Sequence, residues 1–230
     1  MSKIVVCNQK MFLSYDEAEK ISNELLKYND ENLIICPSAL NMDLYSKYNI
    51  GAQDCYYEDS GSFTGEISPY HLALKGVKYV IVGHSERRCY DDDKTINKKI
   101  LAAQKNKLIP ILCIGESKYD RDLNRTAEVL KRQLTIGLKN VKDEIYIAYE
   151  PAWLIGKNKS LSINEIEDTC TYIRKLLKGL RISNYKLLYG GSVTDLTIEN
   201  IISNKLDGYL VGKTCCDVDK LLKIIKCTKM

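Results

Sequence analysis

The segment Ile145-Tyr146-Ile147-Ala148-Tyr149-Glu150-Pro151-Ala152-Trp153-Leu154-Ile155-Gly156 carries an apolar run that ends in one carboxylate. Pro151 stops a strand at that point because it has no N–H for the ladder. The chain then passes its single tryptophan and reaches a glycine. A carboxylate at the tip of a buried strand, followed by a short apolar loop, fits a general base beneath a lid. An ordinary surface glutamate fits the same pattern. Three further sets of residues could serve such a base. In Cys7-Asn8-Gln9-Lys10, an extended chain turns Asn8 and Lys10 to one side and Gln9 to the other, and an amide beside an ammonium suits a small oxyanion. In Gly83-His84-Ser85-Glu86-Arg87-Arg88, a histidine stands where a strand gives way to a helical turn. Free N–H groups there disfavour an imidazolium and leave a neutral hydrogen-bond donor. A structural histidine beside an ion-pair net is the plainer alternative. Leu188-Tyr189-Gly190-Gly191-Ser192 and Leu210-Val211-Gly212-Lys213 end in glycines that let backbone N–H groups approach an anion, although Gly-Gly is also an ordinary turn.

These residues need elements that bring strand ends together. Eight short apolar runs are candidate strands: Lys3–Cys7, Asn32–Cys36, Ile50–Gln53, Val77–Val82, Ile109–Cys113, Ile145–Tyr149, Tyr185–Tyr189 and Gly208–Val211. Most are nearly continuous in apolar residues, as parallel strands covered on both faces should be. Amphipathic stretches lie between them, at Asp16–Tyr28, Asn124–Leu138 and Asn164–Leu180 among others. Ser162-Ile163-Asn164-Glu165 reads as a capping box, and Ser68-Pro69 as an N-cap followed by proline at the first helical position. Eight strands alternating with roughly eight helices fit a closed (β/α)8 barrel or an open doubly wound sheet. The count favours the barrel, at about 29 residues per unit. No G-x-G-x-x-G follows an early strand, which argues against a dinucleotide fold.

The 230 residues show no linker or composition break, so one domain over 1–230 is expected. Net charge is +4, and no dense basic run with interleaved aromatics implies nucleic acid. The mild positive excess favours an anionic metabolite. Nine cysteines without C-x-x-C spacing and only two histidines give no metal-ligand set. Cys7, Cys36 and Cys113 lie in apolar runs, where a thiol acts as a small hydrophobe. No stretch has the ~18 apolar residues of a membrane helix, and the first residues lack a signal-peptide core. A reduced cytoplasm is the expected location.

Eight ordered pieces are similar to the triosephosphate isomerase family: Asn8-x-Lys10, Gly51-Ala52-Gln53, Gly61-x-Phe63-Thr64-Gly65-Glu66, Gly83 to Arg88, Cys113-Ile114-Gly115-Glu116, Ala148-Tyr149-Glu150-Pro151-x-Trp153, Tyr189 to Val193, and Asp207-Gly208-x-Leu210-Val211-Gly212. They span nearly the whole chain. The resemblance implies a single-domain (β/α)8 TIM barrel that interconverts dihydroxyacetone phosphate and glyceraldehyde 3-phosphate, in glycolysis and gluconeogenesis, without cofactor or metal. Carried over, Glu150 is the base, His84 the neutral electrophile, and Lys10 and Asn8 the partners of developing negative charge. Glu86 partners Lys10. Backbone N–H groups of Gly156, Ser192, Gly212 and Lys213 hold the phosphate, and Pro151–Ser160 forms the lid. The long loop Tyr56–Ile67 docks into a second copy of the chain, with Thr64 near the partner's Asn8, so the resemblance implies a homodimer. Gln9 replaces the family's usual Trp, Lys213 a common Gly, and Leu154 and Asn158 alter the lid; packing and lid kinetics are expected to change more than chemistry. Two other readings compete: a barrel isomerase for another small phosphosugar, and a catalytically silent phosphate-binding protein. The second would need a broken residue set, whereas Asn8, Lys10, His84 and Glu150 are all present.

Overall fold

Eight parallel strands close into a barrel in sequence order: β1 (Ile4–Asn8), β2 (Leu33–Cys36), β3 (Asn49–Ala52), β4 (Tyr79–Val82), β5 (Ile109–Ile114), β6 (Ile145–Tyr149), β7 (Tyr185–Tyr189) and β8 (Gly208–Val211). Closure is made by β1 against β8, with Ile4 opposite Gly208 and Cys7 opposite Val211. The computed structural model describes residues 2–28 and 30–229. This is the (β/α)8 fold expected from the alternating runs; β6, β7 and β8 have the bounds read from the sequence, and the other five strands differ at one or both ends by at most two residues. The continuous apolar strands have a physical reason. Val6, Ile34, Ile81, Ile111, Ala148, Leu188 and Leu210 fill the barrel interior, while their neighbours face the helices and form the larger core.

The helices are α1 (Tyr15–Leu25), α2 (Pro69–Leu74), α3 (Asp93–Lys105), α4 (Lys118–Asp122), α5 (Thr126–Gly137), α6 (Ile163–Gly179) and α7 (Val218–Thr228). They depart from strict alternation. The β2–β3 and β7–β8 connections carry only 3₁₀ turns, Ala39–Tyr45 and Ile198–Asn200, whereas the β5–β6 connection holds both α4 and α5. Ser162 and Glu165 form a full capping box on α6, and Ser14 with Glu17 forms a second on α1. Ser68 caps α2 through the His71 N–H, with Pro69 in the first turn. Among the described residues no helix is long and apolar enough to cross a membrane.

A buried ion cluster joins α3 to the loops at the strand ends. The Lys99 ammonium is 2% exposed and contacts Asp54 at 2.8 Å and Asp91 at 2.7 Å. Arg87 reaches the same Asp54 at 3.0 Å. The loop after β4 is thereby tied to the loop after β3. Removing one member of such a cluster leaves uncompensated buried charge. Burial alone would lower the Lys99 pKa, but hydrogen bonds and charge from Asp54 and Asp91 outweigh it and hold the group above its ordinary 10.5. In alkali the unfolded lysine therefore loses its proton first. The native state then binds the extra proton, and stability falls as pH rises from 10.5 through the higher folded value. Lys99→Met is expected to cost about 3–5 kcal/mol in urea unfolding at neutral pH. Its urea midpoint should also fall less steeply than the parent's above pH 10.5.

Candidate active site

Alternation along the strands carries the barrel interior directly into a cavity at their C-terminal ends. Val6 points inward, so Asn8 does too; Ala148 leads to Glu150, Leu188 to Gly190, and Leu210 to Gly212. β4 breaks the pattern. Gly83 takes φ +72°, and this turn swings His84 into the cavity out of register with Ile81. The cavity encloses about 850 Å³ and is lined by Asn8, Lys10, His84, Glu150, Gly156, Ser192, Gly212 and Lys213, among others. Glu86 stands at its edge through its contact with Lys10. Thr64 is exposed in the loop after β3 and does not line this cavity.

Glu150 and His84 face one another, with Glu150 Oε1 3.6 Å from His84 Nε2, and both side chains are buried. The Glu86 N–H donates to His84 Nδ1 at 3.3 Å. An Nδ1 that accepts this bond leaves a ring proton on Nε2, the nitrogen that faces Glu150 Oε1 in the cavity. Lys10 Nζ lies 2.6 Å from Glu86 Oε1. Its backbone takes φ +52° and is held on both sides: the Lys10 N–H donates to Asn8 Oδ1 at 3.1 Å, and Gln53 Nε2 donates to the Lys10 carbonyl at 2.8 Å. Gln9 turns away, as alternation requires, and donates from Nε2 to the Tyr45 hydroxyl at 2.8 Å.

The backbone donors differ among themselves. No hydrogen bond among the described residues uses the N–H groups of Gly156, Gly212 or Lys213. Ser192 sits at φ +60° and its N–H donates to the Gly190 carbonyl at 3.0 Å, so that donor is already engaged. Lys213 is not at positive φ; it opens a 3₁₀ turn with Gly212 as its cap, so a side chain is accommodated there without left-handed strain. In the segment after β6, Gly156 at φ +75° and Asn158 at φ +50° take left-handed conformations, which glycine and asparagine tolerate.

The family model for triosephosphate isomerase matches residues 3–228. The chain belongs to the triosephosphate isomerase family. It is 37% identical to the triosephosphate isomerase of Clostridium tetani, with 91% of this chain and 90% of that protein covered. The enzyme of Finegoldia magna is also 37% identical, with 96% and 97% covered, and that of Thermodesulfovibrio yellowstonii is 38% identical, with 97% and 98% covered.

Several contacts around Glu150 were not legible as such in the sequence. Gly115 and Gly190 belong to the family pattern, but only the fold brings them against the carboxylate residue. A Cβ on Gly115 would lie 1.8 Å from the Glu150 carbonyl oxygen, and one on Gly190 would lie 2.7 Å from Glu150 Cγ and 2.9 Å from Oε1. Glu116 is fully buried and accepts from Trp153 Nε1 at 3.0 Å and from the Tyr149 hydroxyl at 3.2 Å. It thus ties β5 to the first turn of the segment after Glu150. Burial, reinforced by Glu116, holds the Tyr149 phenol well above its ordinary pKa, so it stays a donor. Burial, followed by the nearby Glu150, does the same to the Cys113 thiol, which stays uncharged beside the carboxylate. Gly190→Ala is expected to push the Glu150 carboxylate aside by about 1 Å, a shift that a crystal structure of the variant would show and that is large on the scale of reacting geometry.

Proposed function

We propose that this protein interconverts dihydroxyacetone phosphate and glyceraldehyde 3-phosphate by proton transfer, in glycolysis and gluconeogenesis, from one barrel domain spanning 1–230. The observation that carries the reading is the 3.6 Å pairing of Glu150 with His84 across the cavity that also holds Lys10 and the unengaged N–H groups. The Glu150 carboxylate takes the proton from the carbon next to the carbonyl. The electron pair of that C–H bond moves to the carbonyl oxygen and gives an enediolate. His84 donates from Nε2 to the oxygen that gains charge, and Lys10 with Asn8 stabilises the same charge where it develops. The hydroxyl on the carbon that lost its proton gives up its own proton, which is relayed at His84 Nε2 to the oxygen that gained charge. Glu150 then returns its proton to the former carbonyl carbon, the other C–O becomes the new carbonyl, and the isomerisation ends with no net change in atoms. A glutamate base with a neutral imidazole is the known pattern of this enzyme family.

The phosphate is held by N–H groups of Gly156, Gly212 and Lys213, and by Ser192 once its N–H leaves the Gly190 carbonyl. Binding energy from this remote end supports chemistry at the other. The segment 151–160 is the lid, and closing it excludes water from an intermediate prone to lose its phosphate. Neither a metal nor a cofactor enters these steps.

The active species is a homodimer with isologous contacts. Two features support this. Met11 and Leu40, in loops after β1 and β2, are 94% and 89% exposed. The loop after β3 is also not slack: Tyr56 stacks on Tyr57 with centroids 4.1 Å apart and packs on Phe63 at 4.7 Å, which presents Thr64 on a braced surface. Thr64 then sits near Asn8 of the other copy.

A coupled assay with glyceraldehyde 3-phosphate tests the chemistry. Robust turnover is expected from the parent. Glu150→Ala and Glu150→Asp should both be severely impaired, the alanine variant by about 10²–10⁴-fold in kcat, while both still bind inorganic phosphate. Full activity in Glu150→Ala overturns the assignment of the base. Light scattering at micromolar concentration should return twice the 26.2 kDa chain mass, and a single-chain mass removes the dimer from the reading.

A further inference from the structure

Gln133, in the middle of α5, spends its buried amide on one residue of β5's exit. It is 3% exposed. Its Oε1 accepts the Gly115 N–H at 2.9 Å, and its Nε2 donates to the Gly115 carbonyl at 3.1 Å. This double pairing copies the two hydrogen bonds that a neighbouring strand would exchange with one residue. Gly115 in turn bears directly on the peptide that follows Glu150, with no room for a Cβ between them. On either side the backbones are joined: the Glu150 N–H donates to Ile114 at 2.8 Å, and the Ala152 N–H donates to Glu116 at 3.1 Å. Ordinary packing does not complete this wall. A second cavity of about 240 Å³, bordered by Gln133, Val129, Arg132, Ser117, Ala152 and Glu150, lies between α5 and the base. Where side chains leave such space, directed hydrogen bonds must set the register.

We propose that Gln133 is a positioning residue for the base: through the Gly115 peptide it fixes where Glu150 stands in the substrate cavity. The inference rests on the reading of Glu150 as the base. Gln133 spends its hydrogen bonds on Gly115 and does not line the cavity that holds Gly156, Gly212 and Lys213, so losing it impairs proton transfer and spares phosphate binding. A misplacement of about 1 Å is enough to cost ~10²-fold in rate.

The test compares three variants of the full chain by kcat and KM for glyceraldehyde 3-phosphate, the inhibition constant of inorganic phosphate, and Tm. Gln133→Met keeps length and removes both hydrogen bonds; its kcat is expected to fall ~10–100-fold with phosphate inhibition within ~2-fold of the parent. Leu130→Ala deletes a fully buried side chain of the same helix that faces the core. It should lose at least as much Tm yet keep kcat within ~3-fold, because Gly115 stays held. Gln133→Glu serves if the methionine variant does not fold. Its carboxylate can accept from the Gly115 N–H but repels the carbonyl, and protonation restores a donor. Its kcat relative to the parent at the same pH should therefore rise as pH is lowered toward ~5. The proposal is overturned by parental kcat in folded Gln133→Met, by an equal kcat loss in Leu130→Ala, or by a flat Gln133→Glu ratio across pH. An active Glu150→Ala would remove the base itself, whereas an inactive Glu150→Ala beside a fully active Gln133→Met would remove only the role given to Gln133.

Discussion

A buried carboxylate with no cation against it is the constraint around which this cavity is arranged. Glu150 is 4% exposed and its Oε2 finds no hydrogen-bond partner. Among the described residues no lysine or arginine forms an ion pair with it; Lys10 is occupied by Glu86 instead. Such a group is costly to bury and would normally acquire a partner. Two groups stand beside it: the His84 ring, with Nε2 3.6 Å from Oε1, and the Cys113 thiol. Glu86 meets the other ring nitrogen twice, its N–H donating to Nδ1 at 3.3 Å and its Oε2 lying 3.6 Å away. The same residue, Glu86, therefore touches both ends of the polar set: its backbone donates to the histidine and its side chain holds Lys10.

The barrel supplies the rest of the arrangement cheaply. Four strands reach the cavity by continuing the inward parity of their core residues, which delivers Asn8 and Glu150 as side chains and Gly190 and Gly212 as backbone. Departures from regular backbone occur where parity fails to deliver the required side chain. Gly83 turns His84 inward, and Lys10 adopts a left-handed conformation that hydrogen bonds from Asn8 and Gln53 offset. Strain of this kind persists only where the surroundings over-determine it. The ion cluster of Lys99, Asp54, Asp91 and Arg87 braces, from the helix side, the loop after β4 and the loop after β3 that carries Gln53.

Local rules made the strands, the α6 capping box and the proline-led start of α2 readable from residue types, because each depends on neighbours within a few positions. The sense in which Asn8 and Gln9 point was readable for the same reason, Gln9 entering the core beside Tyr45, whereas Lys10 reaches the cavity through a left-handed backbone that alternation does not predict. Connections were less legible. The β2–β3 connection holds the 3₁₀ turn Ala39–Tyr45 where strict alternation calls for a helix. Least legible were contacts between distant positions. Nothing near Gln133 or Gly190 in the chain indicates that one grips the peptide beside Glu150 and the other clears its side chain. Only closure of the barrel brings positions 115, 133, 150 and 190 together.

That convergence joins the two halves of the chemistry. Gly190 lies against the Glu150 carboxylate and also accepts the N–H of Ser192, two residues along. Glu116 lies one residue from the Gly115 clamp and holds Trp153 in the segment after β6. Glu150 thus has a wall on each side, one continuing into the backbone around Ser192 and the other into the segment 151–160. An anion that claims the Ser192 N–H must take it from the carbonyl of the very glycine that bounds the carboxylate, at φ angles already left-handed at Ser192 and Gly156. The backbone around Ser192 and the placement of Glu150 are therefore parts of one circuit. The side chains of Leu154 and Asn158 lie outside it, because it is built from peptide groups and from Gly115 and Gly190, where a Cβ has no room.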